Sequence, residues 1–94
     1  MRMSEQTIRQ LKIVNQKGLH ARAAAKLVEV VEGFDATAEV SHDGQSANAD
    51  SIMGLLMLAA SKGKTIDVET SGPDAEALAD AIEALVADRF GEDM

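Results

Sequence analysis

Residues 13–31 read Ile13-Val14-Asn15-Gln16-Lys17-Gly18-Leu19-His20-Ala21-Arg22-Ala23-Ala24-Ala25-Lys26-Leu27-Val28-Glu29-Val30-Val31, and the period of the apolar residues changes inside that stretch. On its N-terminal side, residues 7–15 set Ile8, Leu11 and Ile13 among polar neighbours, a β-like pattern with an irregular start. On its C-terminal side, Ala21, Ala24, Leu27, Val28 and Val31 recur at three- and four-residue spacing. That spacing is the single apolar stripe of an amphipathic helix, and Gly33 ends it. A strand therefore runs into a helix across Lys17-Gly18, and His20 stands at the junction.

Outward from this junction the pattern continues in short elements. In residues 36–42, Ala36, Ala38 and Val40 alternate with Thr37, Glu39 and Ser41, the period of a half-buried strand. Asp43-Gly44 supplies a hairpin turn, which places His42 in a turn rather than a ligand cluster, and a weak return strand follows over residues 45–50. Ser51 is positioned to cap a short helix through residue 60, and Gly63 closes that segment. Residues 65–71 alternate Ile66 and Val68 with Asp67 and Glu69, a fourth strand. Gly72-Pro73 opens a last helix whose first turn carries Asp74 and Glu76 and whose buried face carries Leu78, Ile82, Leu85 and Val86, with Gly91 before an acidic tail. The order is βαββαβα, which predicts an α+β sandwich with helices covering one face of an antiparallel or mixed sheet.

Bulk composition narrows the function. Ninety-four residues supply one small core, and with two Phe and no Trp or Tyr that core must be built from aliphatic side chains. A formal net charge of −7 repels nucleic-acid phosphates, so no nucleic-acid partner is expected. The absence of Cys excludes disulfides and thiolate chemistry. The longest apolar run, residues 52–60, is far shorter than the roughly 20 residues a membrane span needs. Residues 1–10 hold no apolar stretch like a signal-peptide core, and a cytoplasmic protein with no membrane association is expected. No P-loop, GxGxxG or paired-carboxylate pattern is present, and no second His or Cys joins His42 to make a metal site.

The stretch from Lys17 to Lys26 carries the chemistry. A helix start exposes unpaired backbone N–H groups and the positive end of the helix dipole, which together suit an anion. A neutral imidazole at that place can attack phosphorus, and Arg22 can bring a guanidinium fork to phosphoryl oxygens carrying roughly −1.5 to −2 charge. The same residues also suit a solvated capping histidine and a solvated arginine, with Leu19 stapling the helix start.

Gly18-Leu19-His20-Ala21-Arg22 resembles the active-site signature of HPr, the histidine phosphocarrier of the phosphoenolpyruvate-dependent phosphotransferase system. Ser51-Ile52-Met53-Gly54 resembles the start of the short helix that carries a regulatory serine in many HPr proteins. The likeness spans nearly the whole chain and implies an HPr-like open-faced sandwich, with four mainly antiparallel strands and three helices on one face. It implies a single domain over residues 1–94, with flexible ends at about 1–5 and 91–94. By position it makes His20 the phosphoryl acceptor and Arg22 the phosphate-stabilising arginine. Enzyme I is the implied donor, an enzyme IIA-type protein the acceptor, and an HPr kinase/phosphorylase a further partner for Ser51. The chain would act as a monomeric carrier without cofactor or metal rather than as a self-sufficient enzyme.

The chain departs from that pattern at two places. After the arginine most HPr proteins have proline, whereas Ala23 restores a backbone N–H at the helix start. This Ala-rich form is similar to HPr-like proteins of the nitrogen-type regulatory branch. Before Ser51, Asp50 stands where sugar-type relatives often carry lysine, and its carboxylate would repel incoming phosphate. Ser51 therefore suits a simple N-cap as well as a modified serine. Ile52, Met53 and Leu56 are expected to dock partners, while Leu55 and Leu58 pack into the core. A regulatory docking module that keeps the fold without phosphotransfer is the rival reading, and the retention of both His20 and Arg22 favours the carrier.

Overall fold

Alternation decides which side of each strand is buried. In β2, Thr37–His42, Ala38 and Val40 point inward, and in β4, Thr65–Ser71, Ile66, Val68 and Thr70 do. In β1, Gln6–Lys12, the inward phase is Thr7, Arg9 and Leu11, and it continues past the strand to Ile13 and Asn15. β3, Gln45–Asn48, completes a sheet in the order β1-β4-β2-β3, with every neighbouring pair antiparallel. The computed structural model describes residues 6–93, so the expected flexible N-terminal stretch lies outside the described residues.

Three helices cover the inward face: α1, Ala21–Glu32; α2, Ile52–Met57; and α3, Ala75–Ala87. Their buried stripes, Leu27 and Val31, Leu55, and Leu78, Ile82 and Val86, meet the strand residues in one core that is aliphatic except for Phe90, an aromatic contribution that the composition does not lead us to expect. The opposite face is polar apart from Ile8: Glu39 lies beside Glu69, which in turn lies beside Ile8. This is the α+β open-faced sandwich expected from the sequence. Among the described residues no helix is long and apolar enough to cross a membrane.

Four local differences from the sequence reading have physical causes. Ile8 lies on the open face and is 67% exposed, because the period-two register that buries Leu11 also turns Thr7 and Arg9 inward. Arg9 reaches past the core to Asp80 and Glu83 of α3, at 2.9 and 2.6 Å. Strands β1, β2 and β3 are also one or two residues shorter than their alternating patterns. The irregular start of the first strand is thus a polar inward edge under α3.

The helix expected over residues 51–60 stops at Met57. The N–H groups of Leu58 and Ala59 turn back to Leu55 and Leu56 with three-residue spacing, and Ala59 adopts φ +53°. That bend aims the Ala60 carbonyl at the Leu19 N–H, 2.9 Å away. The helix is cut short because the segment after it closes the turn before α1. Likewise α3 begins at Ala75 rather than at Pro73: the Asp74 carboxylate accepts from the Asp35 N–H at 2.8 Å, and Asp35 O accepts from the Asp74 N–H at 3.1 Å.

After α3 the chain makes a short 3-10 turn, Arg89–Gly91, in which Arg89 and Phe90 have φ +56° and +54°. Two successive non-glycine residues in the left-handed region are strained, and the surroundings must hold them there. Phe90 is wholly buried in the core, and its carbonyl accepts from Lys26 Nζ at 2.8 Å. The end of the chain is thereby drawn across the start of α1.

Candidate functional site

The turn before α1 is built on Gly18. It has φ +68°, and a Cβ there would lie 2.6 Å from Ala60 O and 2.8 Å from Ser61 Cα. Only glycine lets the chain pass so close to the segment following α2. Leu19 then buries its side chain and donates its N–H to Ala60, which fixes the direction in which His20 leaves the turn.

His20 is the N-cap of α1, with extended backbone at φ −89°. The N–H groups of Ala21, Arg22 and Ala23 find no backbone carbonyl among the described residues, and the first to be paired is Ala24 N–H, with His20 O at 2.8 Å. His20 Nδ1 accepts from the Arg22 N–H at 3.3 Å, a long bond that an incoming acceptor can displace. The first turn of α1 holds no acidic residue. Nδ1 therefore faces the positive end of a helix whose anion place no side chain of its own turn occupies.

The other ring nitrogen is engaged from the chain's end. Nε2 contacts the Glu92 carboxylate, whose Oε1 accepts from Asn15 Nδ2 at 3.0 Å. Asn15 is wholly buried, and the same Nδ2 donates to Gly18 O at 2.8 Å. Both partners of Nδ2 are acceptors, so the amide orientation is fixed by chemistry. Asn15, then the imidazole, hold the Glu92 carboxyl below the usual carboxylate range, with Lys17 adding a smaller effect against the cost of desolvation. His20 is 26% exposed and Glu92 15%, so the pair sits at the surface but is not washed by solvent on all sides.

Beside this pair a cleft of about 350 Å³ is lined by Lys17, Arg22, Lys26, Glu92 and Asp93, among others. Three cations and two carboxylates thus line a place large enough for a phosphoryl group. Arg22 contributes twice, with its backbone N–H at His20 Nδ1 and its side chain in the cleft. Among the described residues no three His, Asp or Glu side chains cluster as a metal ion would need.

The second segment singled out by the sequence lies beside the first, because α2 packs against α1. Ser51 is the N-cap of α2, and its hydroxyl accepts from the Gly54 N–H at 3.0 Å. Ile52 and Met53 are exposed, whereas Leu56 is half-buried against the core. Met57, beyond the three residues expected to dock partners, is 70% exposed as well. His42 ends β2 next to the hairpin, its Nδ1 3.3 Å from Thr65 O.

Asn15 and Glu92 were missed by sequence reasoning. For Asn15 a signal existed: it continues the inward phase of Leu11 and Ile13, so it must be buried, and a buried amide needs partners. Glu92 gave none beyond an acidic tail, since nothing local indicates that Phe90 turns into the core and carries the tail over His20.

Comparisons with known proteins agree on one family. Residues 7–88 match PTS-HPr, described as the PTS HPr component phosphorylation site. The phosphocarrier protein HPr of Cupriavidus necator is 49% identical over 80 residues, covering 85% of this chain and 90% of the relative. The phosphocarrier protein NPr of Escherichia coli K12 is 44% identical over 89 residues, covering 93% and 99%. A crystal structure of HPr from Thermoanaerobacter tengcongensis superposes with a TM-score of 0.88 at 34% identity, covering 94% of this chain and 99% of that one.

Proposed function

The chain belongs to the PTS-HPr family, and from that premise we propose that it is a phosphocarrier which accepts a phosphoryl group on His20 Nδ1 from phospho-enzyme I and passes it to an enzyme IIA-type protein. The observation that carries this reading is the cap of α1: the imidazole nitrogen not engaged by Glu92 faces the unpaired N–H groups of the first helical turn. The Nδ1 lone pair attacks phosphorus as the donor's bond to phosphorus breaks, and the proton on Nε2 stays where it is. First-turn amides and the Arg22 guanidinium then take the phosphoryl oxygens, with Lys17 and Lys26 adding positive potential. Delivery to the acceptor reverses these steps.

A carrier must load without holding too tightly. Backbone amides and a surface arginine suit that requirement, because they stabilise the charge modestly and leave the phosphorus open to a partner. Ile52, Met53 and Leu56, joined by Met57, form the adjacent face on which both partners dock. Ser51 begins that helix, so an HPr kinase/phosphorylase acting on it would place negative charge at the docking face. The protein works in the cytoplasm as a monomer and turns nothing over alone.

Incubation with enzyme I and phosphoenolpyruvate, followed by intact mass under non-acidic conditions, tests this reading. Wild type gains one phosphoryl group and His20→Ala gains none. Full phosphorylation of His20→Ala removes the assignment.

A further inference from the structure

The Glu92 carboxylate lies against His20 Nε2, and the surroundings keep it there by several independent means. Asn15, wholly buried, donates to Glu92 Oε1 at 3.0 Å and is itself oriented by Gly18 O at 2.8 Å. Upstream, Phe90 is buried in the core, Lys26 Nζ holds its carbonyl at 2.8 Å, and Arg89 and Phe90 keep strained left-handed backbone. A tail passing by chance would have none of these anchors. Gly91 suits the bend that follows, since its φ of +78° is left-handed backbone that glycine adopts without strain.

On the phosphocarrier reading above, we propose that Glu92 is a positioning residue for phosphotransfer, which holds the proton on His20 Nε2 and stabilises the positive charge the ring acquires when Nδ1 carries a phosphoryl group. The electron balance explains why such a residue helps. Nδ1 donates its lone pair to phosphorus while the donor's bond to phosphorus breaks, so the ring keeps its Nε2 proton and becomes a phosphoimidazolium. A carboxylate in contact with Nε2–H favours that cation. In the transfer to the acceptor, the Nδ1–phosphorus electron pair returns to the ring, and neutral imidazole with its proton still on Nε2 is regenerated. No proton has to enter or leave in either direction.

The arrangement also separates the two negative charges. Glu92 meets the ring at Nε2, whereas the phosphoryl group would sit at Nδ1 against the start of α1. The cations Lys17, Arg22 and Lys26 line the cleft beside both. Asn15, which draws the Glu92 carboxyl below the usual range, keeps it ionised across the pH range in which the carrier would work.

Glu92→Gln, in the full chain, tests the inference with two readouts. In the unphosphorylated protein the His20 Nε2–H gives an exchange-protected 15N-coupled proton signal in wild type, and this signal weakens or vanishes in the variant. In the phosphorylated protein, loss of the phosphoryl group is followed against pH. The midpoint at which the bond passes from labile to stable lies about one pH unit lower in Glu92→Gln, because the phosphoimidazolium has lost its carboxylate. Glu92→Asp, which keeps the charge on a shorter arm, restores part of the shift. A phosphorylated Glu92→Gln protein with a pH profile superimposable on wild type overturns the role of Glu92 and leaves the carrier reading intact. Failure of wild type itself to take phosphate overturns both, even if the Nε2–H signal depends on Glu92.

Discussion

Two helix starts in this protein meet the same electrostatic problem in opposite ways. At α3 the unpaired N–H groups have carboxylates near them: Asp74 stands at the cap and Glu76 in the first turn, although Asp74 spends its side chain on Asp35 of the loop before β2. At α1 the cap is an imidazole, the first turn is Ala21, Arg22 and Ala23, and the neighbouring cleft is lined by Lys17, Arg22 and Lys26 together with Glu92 and Asp93 from the far end of the chain. The first start carries acidic residues in its own cap and first turn; the second carries none there, and its nearest carboxylate, Glu92, meets the imidazole at Nε2, away from the first-turn amides. A helix dipole becomes a binding feature only where sequence leaves it unanswered.

The contrast breaks most severely at Gly18. Gly18→Ala drives a Cβ into the backbone of Ala60 and Ser61 at a positive φ, and is expected to destabilise the protein by roughly 2–4 kcal/mol in denaturant unfolding. Gly63→Ala, also at positive φ but with open space around the added Cβ, is the control and should cost about 1 kcal/mol. Equal losses in the two variants would show that the close approach before α1 is not what requires glycine.

Arg22→Ala sharpens the comparison without disturbing the fold. Arg22 is exposed, so stability should change by no more than about 0.5 kcal/mol. Transfer from phospho-enzyme I should slow by about tenfold or more, since a cation at the developing charge is removed while the nucleophile stays. Unchanged kinetics would assign the work to the backbone amides and the two lysines.

Ser51→Ala removes the hydroxyl cap of α2 and should cost about 1 kcal/mol of stability with the His20 loading rate unchanged, because the two helix starts are separate devices. Ser51→Asp keeps a cap and adds charge beside Ile52 and Met53. Its loading by enzyme I should fall through weaker docking, and a wild-type rate would remove the regulatory reading of that serine. With Asp50 already adjacent, the effect should be small.

Ala23→Pro asks whether the freedom of the third N–H in α1 matters. That N–H has no backbone carbonyl partner, so a proline there loses no such bond, and stability should rise by roughly 0.4–1 kcal/mol through a less disordered unfolded chain. A destabilised variant would mean that the ring clashes where the Ala23 side chain is now fully buried. The smallest effect concerns pH. The Glu92 carboxyl titrates below its ordinary 4.5, so its contribution is fully present above that value and is lost as pH falls through the lower folded-state value. Release of residues 91–93 on acidification should be visible as shifts of their amide resonances.

Element type and order were legible because each strand and helix carries its own period, and the candidate site could be located because glycine, histidine and arginine fall at one junction. What escaped was non-local. The outward turn of Ile8 follows from a register set by β4, and the early end of α2 follows from the demand of Leu19 for the Ala60 carbonyl. Asp74 leaves its own helix for a loop 39 residues away in sequence. Glu92 reaches His20 across 72 residues, and only the burial of Phe90 makes that contact possible. Local patterns specify elements, whereas partners are chosen by the packed whole.

The most direct test of the account is the identity of the ring nitrogen that carries phosphorus. With 15N-labelled protein phosphorylated by enzyme I and phosphoenolpyruvate and kept at alkaline pH, nitrogen–phosphorus coupling should appear at His20 Nδ1, accompanied by a large shift of the Arg22 amide as its long bond to Nδ1 is exchanged for one to phosphate. Coupling at Nε2 with an unmoved Arg22 amide would contradict it, because the phosphoryl group would then sit where Glu92 now lies and not at the start of α1.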